Sequence, residues 1–163
     1  GSHTMTFSYN YFHDHHKVGL MGSSDSDLGD RLVTLHHNRY DNVGSRTPLQ
    51  RGGTTHIYNN YFNDIMVTGI NVRMGGIALV ESNYFENAKN PVTSRDSDAI
   101  GYWDLRNNFV GTAITWTTAD DPYANANAWS TSKAFTTTLG YNYAPDPAAC
   151  VKTIVTALAG AKL

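Results

Sequence analysis

One short pattern, an Asn followed by aromatic residues inside a strand-like run, returns five times along this chain. It reads Thr6-Phe7-Ser8-Tyr9-Asn10-Tyr11-Phe12, then Leu35-His36-His37-Asn38-Arg39-Tyr40, then His56-Ile57-Tyr58-Asn59-Asn60-Tyr61-Phe62. Val80-Glu81-Ser82-Asn83-Tyr84-Phe85 continues it, and Asp104-Leu105-Arg106-Asn107-Asn108-Phe109 is a weaker copy. From Asn10 through Asn38, Asn60, Asn83 and Asn108 the steps are 28, 22, 23 and 25 residues. A period of this size, built of short strands without helical spacing, predicts an all-β, right-handed parallel β-helix with one coil per repeat. Leucine-rich repeats share the period, but their L-x-x-L-x-L signature is absent. In a β-helix each phase stacks on itself at about 4.8 Å per coil. The recurrent Asn would then form a ladder of amides, and the aromatics after it a column. A β-sandwich with Asn-aromatic turns is the competing reading, and five copies in one phase favour the solenoid.

Composition agrees. Charged residues make 16% of the 163, below the roughly 25% of an average soluble domain, and 10 Tyr, 6 Phe, 3 Trp, 14 Gly and 15 Asn stand in their place. Aromatics suit strands, and Asn and Gly suit the corners between them. A net charge of −2 argues against a nucleic-acid or anionic-membrane partner. No apolar run approaches the roughly 20 residues of a membrane span.

The expected organisation is a start segment, 1–5, in which Gly1-Ser2-His3 reads as a cloning scar, then β-helix coils over 6–112. A C-terminal wrapping segment with a short helix follows over 113–163. The helix is expected in the Ala-rich stretch 148–163, after Pro145 and Pro147. The long first step is assigned to a protruding loop over 22–30, and Asn125, outside the repeat, to the surface. The single Cys150 has no internal disulfide partner.

Counted from its own ladder Asn, each cation falls into a phase. Lys17 lies at +7 and Arg46 at +8, predicting neighbours on adjacent coils at one phase. Arg51 and Arg73 lie at +13 and Arg95 at +12, predicting a second column beside them. Stacked like charges repel, so a cationic wall in a charge-poor chain points to a polyanionic ligand of similar repeat. The alternative is pairing with Asp14, Asp41, Asp64 or Asp96. The segment Arg46-Thr47-Pro48-Leu49-Gln50-Arg51-Gly52-Gly53 is expected to hold two guanidiniums rigidly, suited to carboxylates. Asp14-His15-His16 and His36-His37 resemble metal ligands in type, but neighbouring strand residues face opposite ways, so no metal residue is assigned.

The stretch from Asn10 to Asp25, with Lys17-Val18-Gly19-Leu20 at its centre, resembles the substrate-cleft coil of the pectate lyases. Arg46-Thr47-Pro48-Leu49-Gln50-Arg51 looks like that family's R-x-P-x-x-R signature. Asn71-Val72-Arg73, Asn90-Pro91-Val92-Thr93-Ser94-Arg95 and Ile114-Thr115-Trp116-Thr117 continue the likeness, which covers the chain's C-terminal-half counterpart in longer family members. The resemblance implies a secreted, extracellular enzyme that cleaves polygalacturonate by calcium-dependent β-elimination. It implies Arg46 as the base, with Lys17 and Arg51 neutralising the sugar carboxylate and Arg73 and Arg95 binding substrate. A guanidinium is ordinarily protonated, so a base role requires neighbouring positive charge and implies an alkaline optimum. Calcium ligands are implied mostly outside this chain, on coils upstream of Thr6. Cys150 resembles a cysteine that pairs further along in some relatives. The open first coil implies a second chain carrying the N-terminal coils, or a homodimer through that end. Two other classes are a non-catalytic half that binds pectate or assembles with another chain, and a structural β-helix with no saccharide site.

Overall fold

A computed structural model of the chain describes residues 3–161, so Gly1 and Ser2 of the expected start segment and the last two residues lie outside it. The chain winds as coils of three strands. The first is β1 (Thr4–Ser8), β2 (Tyr11–Lys17) and β3 (Leu20–Met21), and the second is β4 (Leu32–His36), β5 (Arg39–Ser45) and β6 (Leu49–Arg51). The third is β7 (Thr54–Tyr58), β8 (Tyr61–Ile65) and β9 (Ile70–Arg73), and the fourth is β10 (Ile77–Glu81), β11 (Tyr84–Lys89) and β12 (Val92–Ser94). A less regular fifth coil holds β13 (Tyr102–Arg106), β14 (Phe109–Val110), β15 (Ile114–Thr115) and β16 (Ala124–Asn125). Like strands of successive coils pair in parallel into three sheets: β1-β4-β7-β10-β13, β2-β5-β8-β11-β14 and β3-β6-β9-β12-β16. The β12–β16 pair alone among these is antiparallel. This is a parallel β-helix.

The Asn ladder sets the register. Thr4 pairs with Leu32, Leu32 with Thr54, Thr54 with Ile77 and Ile77 with Tyr102, the same steps as the Asn spacing. From Asn38 to Asn108, each ladder oxygen takes two N–H groups from the coil before. Asn60 Oδ1 accepts from the backbone N of Asn38 at 3.0 Å and from its Nδ2 at 3.0 Å. From Asn38 on, each amide nitrogen also returns to a carbonyl of that coil, as Asn60 Nδ2 does to Leu35 O at 2.8 Å, while Asn10 Nδ2 bonds Ser8 O of its own coil. Immediately before the ladder, Tyr9, His37, Asn59, Ser82 and Asn107 all have φ between 49° and 55°. One left-handed residue per coil turns the chain between two sheets, leaving polar backbone at a tight bend. The ladder satisfies it.

Inside the bend, Phe12, Tyr40, Phe62 and Phe85 stack with ring centroids 5.0, 4.9 and 4.7 Å apart. That spacing is the coil spacing itself. Val33, Ile57 and Val80 from the first sheet and Ile70, Val72 and Val92 from the third close the core around this column.

The excess of the first step lies where the spacing predicts: ten residues separate β3 from β4, against two between β6 and β7. The loop does not simply protrude, however. Its Asp25 turns back to Arg51 and to the backbone N of Asp98. Regular pairing also runs beyond residue 112, because β15 adds to β11 and β16 to β12. Asn125 is therefore not free surface; it is half-buried and bonded to Thr93, Thr117 and Arg95. Beyond it, Thr131 and Ser132 bond Leu105 and Trp103, and Tyr141 bonds Thr34 and His56, so the tail lies along the first sheet. Helix α1 (Ala148–Leu158) then packs Val151, Val155 and Ala159, at four-residue spacing, against Tyr61 and Tyr84.

Candidate active site

The corner joining the second sheet to the third is where the cations gather. On coil 1 it runs from Lys17 to Leu20, and on coil 2 from Ser45 to Leu49. Lys17 pairs with Ser45, yet Leu20 pairs with Leu49, so coil 2 holds one more residue here than coil 1. Because Lys17 pairs with Ser45, Arg46 comes one residue after the position in register with it: the two are on adjacent coils, but not in register. Arg46 has φ 67° and its carbonyl accepts from Gly19 N at 2.7 Å. The left-handed backbone costs on the order of 1 kcal/mol for a non-glycine residue, and surrounding structure must hold it. Thr47 and Pro48, both buried, supply that hold, with Thr47 N bonded to Gly69 O.

Among the described residues, the side chains of Lys17 and Arg46 carry neither an ion pair nor a hydrogen bond. Lys17 is exposed and Arg46 half-buried. The other arginines are occupied. Arg51 gives Nε to Asp25 Oδ1 at 2.6 Å and Nη1 to Gly22 O at 3.0 Å, leaving Nη2 without a partner among the described residues. Arg73, in register with Arg51, approaches Asp96 at 3.5 Å, and its buried Nε has no partner. Burial first, then the charge of Arg51, holds Arg73 below the usual guanidinium range, and Arg46 adds to this against Asp96 and Asp25. Arg46, Arg51 and Arg73 are thus one electrostatic cluster.

Arg95 stands apart. Its backbone continues the column, but its guanidinium bonds Thr117, Asn90 and Asn125; it is as buried as Arg73, and these bonds are what set it apart. The expected partnerships of the acids are mostly different too. Asp41 pairs with Arg39 and Asp14 with His13; Asp96 alone of the four meets a groove arginine. Asp25, the partner of Arg51, lay in the loop that phase counting set aside.

Two glycine neighbours fix the approach of the coils. A Cβ on Gly44 would meet His16 O at 2.5 Å and His16 Nδ1 at 2.7 Å, so only glycine lets coil 1 sit down beside Lys17. His15 Nδ1 accepts from the backbone N of Lys17 at 3.2 Å, which holds the ring against its own strand. Among the described residues no group of three His, Cys, Asp or Glu side chains comes together to hold a metal ion. The oxygens of Asp25 and Asp96 that face the cluster are taken by arginines, so the residues present do not form a calcium site.

A family model described as pectate lyase matches residues 1–163. The chain belongs to the pectate lyase family. It is 49% identical over 167 residues to pectate lyase C of Dickeya chrysanthemi, covering 98% of this chain and 44% of that one. The structure of pectate lyase II from Xanthomonas campestris superposes with a TM-score of 0.93 at 61% identity, over 95% of this chain and 48% of that one. Two pectate lyase C structures, one from Erwinia chrysanthemi with Ca2+ and one a variant in complex with pentagalacturonic acid, give TM-scores of 0.90 and 0.91. Their identities are 48% and 47%, over 95% and 97% of this chain and 46% and 47% of those chains. The chain therefore spans less than half the length of the relatives it matches, and the part matched is their C-terminal half.

Proposed function

We propose that this chain carries the cationic half of a pectate lyase site and acts on polygalacturonate by β-elimination. The observation that carries the reading is the pair Lys17 and Arg46: neighbours at one corner, both without a carboxylate partner among the described residues, beside Arg51 and Arg73, which each have one. A substrate carboxylate matches these two cations in charge. The calcium-bound and pentagalacturonate-bound relatives support the same substrate and a calcium requirement.

In this reading Lys17 and the free Nη2 of Arg51 hold the carboxylate of the reacting sugar, and Arg73 holds the next. Arg46 removes the proton from C5. The C5–H electron pair forms the C4=C5 double bond, the C4–O4 bond breaks, and O4 takes up a proton. Charge developing on the carboxylate during proton loss is met by Lys17 and Arg51, which makes their attraction stronger in the transition state than in the ground state. Arg95 serves the groove by ordering its far end. Calcium ligands are assigned to coils outside this chain, and no step here is routed through the ion. A secreted location follows from the polymeric substrate.

The test is absorbance of the unsaturated product on polygalacturonate, with calcium or with chelator, using protein that includes the upstream coils. Arg46→Gln is expected to lower the rate by at least a thousandfold while pectate binding persists. A variant that retains the wild-type rate would remove Arg46 as the base.

A further inference from the structure

We propose that the β15–β16 corner of the fifth coil is a distal sugar-binding subsite, with Tyr123 as its stacking platform; this rests on the pectate reading above and extends it. The corner stands in the same place as the Arg46 corner, three coils further along, or about 14 Å at the coil spacing. A cavity of about 500 Å³ opens there, lined by Trp116, Thr117, Thr118, Tyr123, Asn125 and Asn127.

Its two walls come from different sheets. Trp116 and Thr117 follow β15, which pairs with β11, and Tyr123 precedes β16, which pairs with β12. Buried Arg95 binds them together from beneath. Its Nη1 donates to Thr117 Oγ1 at 3.1 Å and its Nη2 to Asn125 Oδ1 at 3.3 Å and to Thr117 O. Asn125 Nδ2 donates across to Thr117 O at 3.0 Å. The Arg95 charge is spent inside the protein, so the cavity presents no free cation to a carboxylate. It presents instead two half-exposed aromatic rings and, among the described residues, the unbonded side chains of Thr118 and Asn127.

A ring face beside a free hydroxyl and a free amide suits the apolar face and hydroxyl groups of a sugar. Trp116 is braced by Trp129, whose ring stands edge-on at 5.8 Å, so that wall is rigid. A galacturonan chain whose carboxylate sits at Lys17 and Arg46 would reach this corner only if it is long enough to cross coils 3 and 4. The subsite therefore distinguishes chains by length, and not by charge.

Binding of trigalacturonate and hexagalacturonate to the full chain, measured by calorimetry, tests this. Tyr123→Ala should weaken the hexamer about three- to tenfold, the range of one aromatic contact, and leave the trimer unchanged; Tyr123→Phe should bind both as wild type. Undiminished hexamer affinity in Tyr123→Ala would overturn the subsite. So would equal weakening of trimer and hexamer. Wild-type protein with no affinity for either oligomer would overturn the pectate reading itself, and the subsite with it.

Discussion

Replacing Asn60 by Ala removes the middle rung of the amide ladder, and its consequence can be worked out bond by bond. Asn60 is fully buried. Its Oδ1 accepts from Asn38 N and Asn38 Nδ2, and its Nδ2 donates to Leu35 O at 2.8 Å, Tyr58 O at 3.1 Å and Asn83 Oδ1 at 3.1 Å. Some partners have a second bond to fall back on. Asn38 Nδ2 keeps Phe7 O, and Asn83 Oδ1 keeps the backbone N of Asn60. The backbone N–H of Asn38 has no other ladder partner and would be orphaned in a buried bend. One orphaned buried donor costs about 1–3 kcal/mol, and the weakened carbonyl contacts add on the order of 1 kcal/mol. The expected loss is therefore about 2–4 kcal/mol. Urea unfolding should show the midpoint falling by about 1–2 M with the slope unchanged. Asn127→Ala, at an exposed position without a side-chain hydrogen bond, should lie within about 0.5 kcal/mol of wild type. If the two variants lost the same stability, the amide ladder would not be what fixes the bend.

Three further outcomes are expected. Lys17→Ala should leave thermal stability within about 0.5 kcal/mol of wild type, because an exposed cation adds little, while turnover of polygalacturonate falls by orders of magnitude; a normal rate would remove Lys17 from the site. Gly44→Ala should lower stability by about 1–3 kcal/mol, since its methyl would press on His16, and should depress turnover along with it; unchanged melting and activity would show that the coils can move apart there freely. Burial first, and then the charges of His37 and His56, push His36 down from 6.5 to about 4. The folded state thus favours neutral His36, so its stability is fully present above pH 6.5 and is lost as pH falls toward 4. Melting curves across that window should show the decline, and His36→Gln should flatten it; an unchanged slope would refute the assignment.

What could be read from the sequence and what could not divide along one physical line. The Asn markers fixed the coil register because a buried amide at a left-handed bend has few ways to be satisfied, and each copy must meet the next. The aromatic column followed from the same phase. Phase fixes where a Cα lies, however, and leaves open what the end of a long side chain will meet. Arg51 and Arg73 did fall into one column, yet Arg51 found Asp25, in a loop that carries no repeat. Arg95 kept the backbone position expected of it and still turned inward, because Thr117 and Asn125 of the irregular fifth coil offered its guanidinium a full set of acceptors. Lys17 and Arg46 missed a common register by one residue, because Lys17 pairs with Ser45 and Arg46 is the next residue, the first of the longer corner. Arg46 opens that corner in a strained, left-handed position, its side chain unpaired among the described residues, and a repeat carries no sign of either. In a solenoid the repeat specifies the scaffold, and chemistry enters where the repeat is broken. Two of these departures, the 22–30 loop through Asp25 and the longer corner at Arg46, meet at the one arginine cluster.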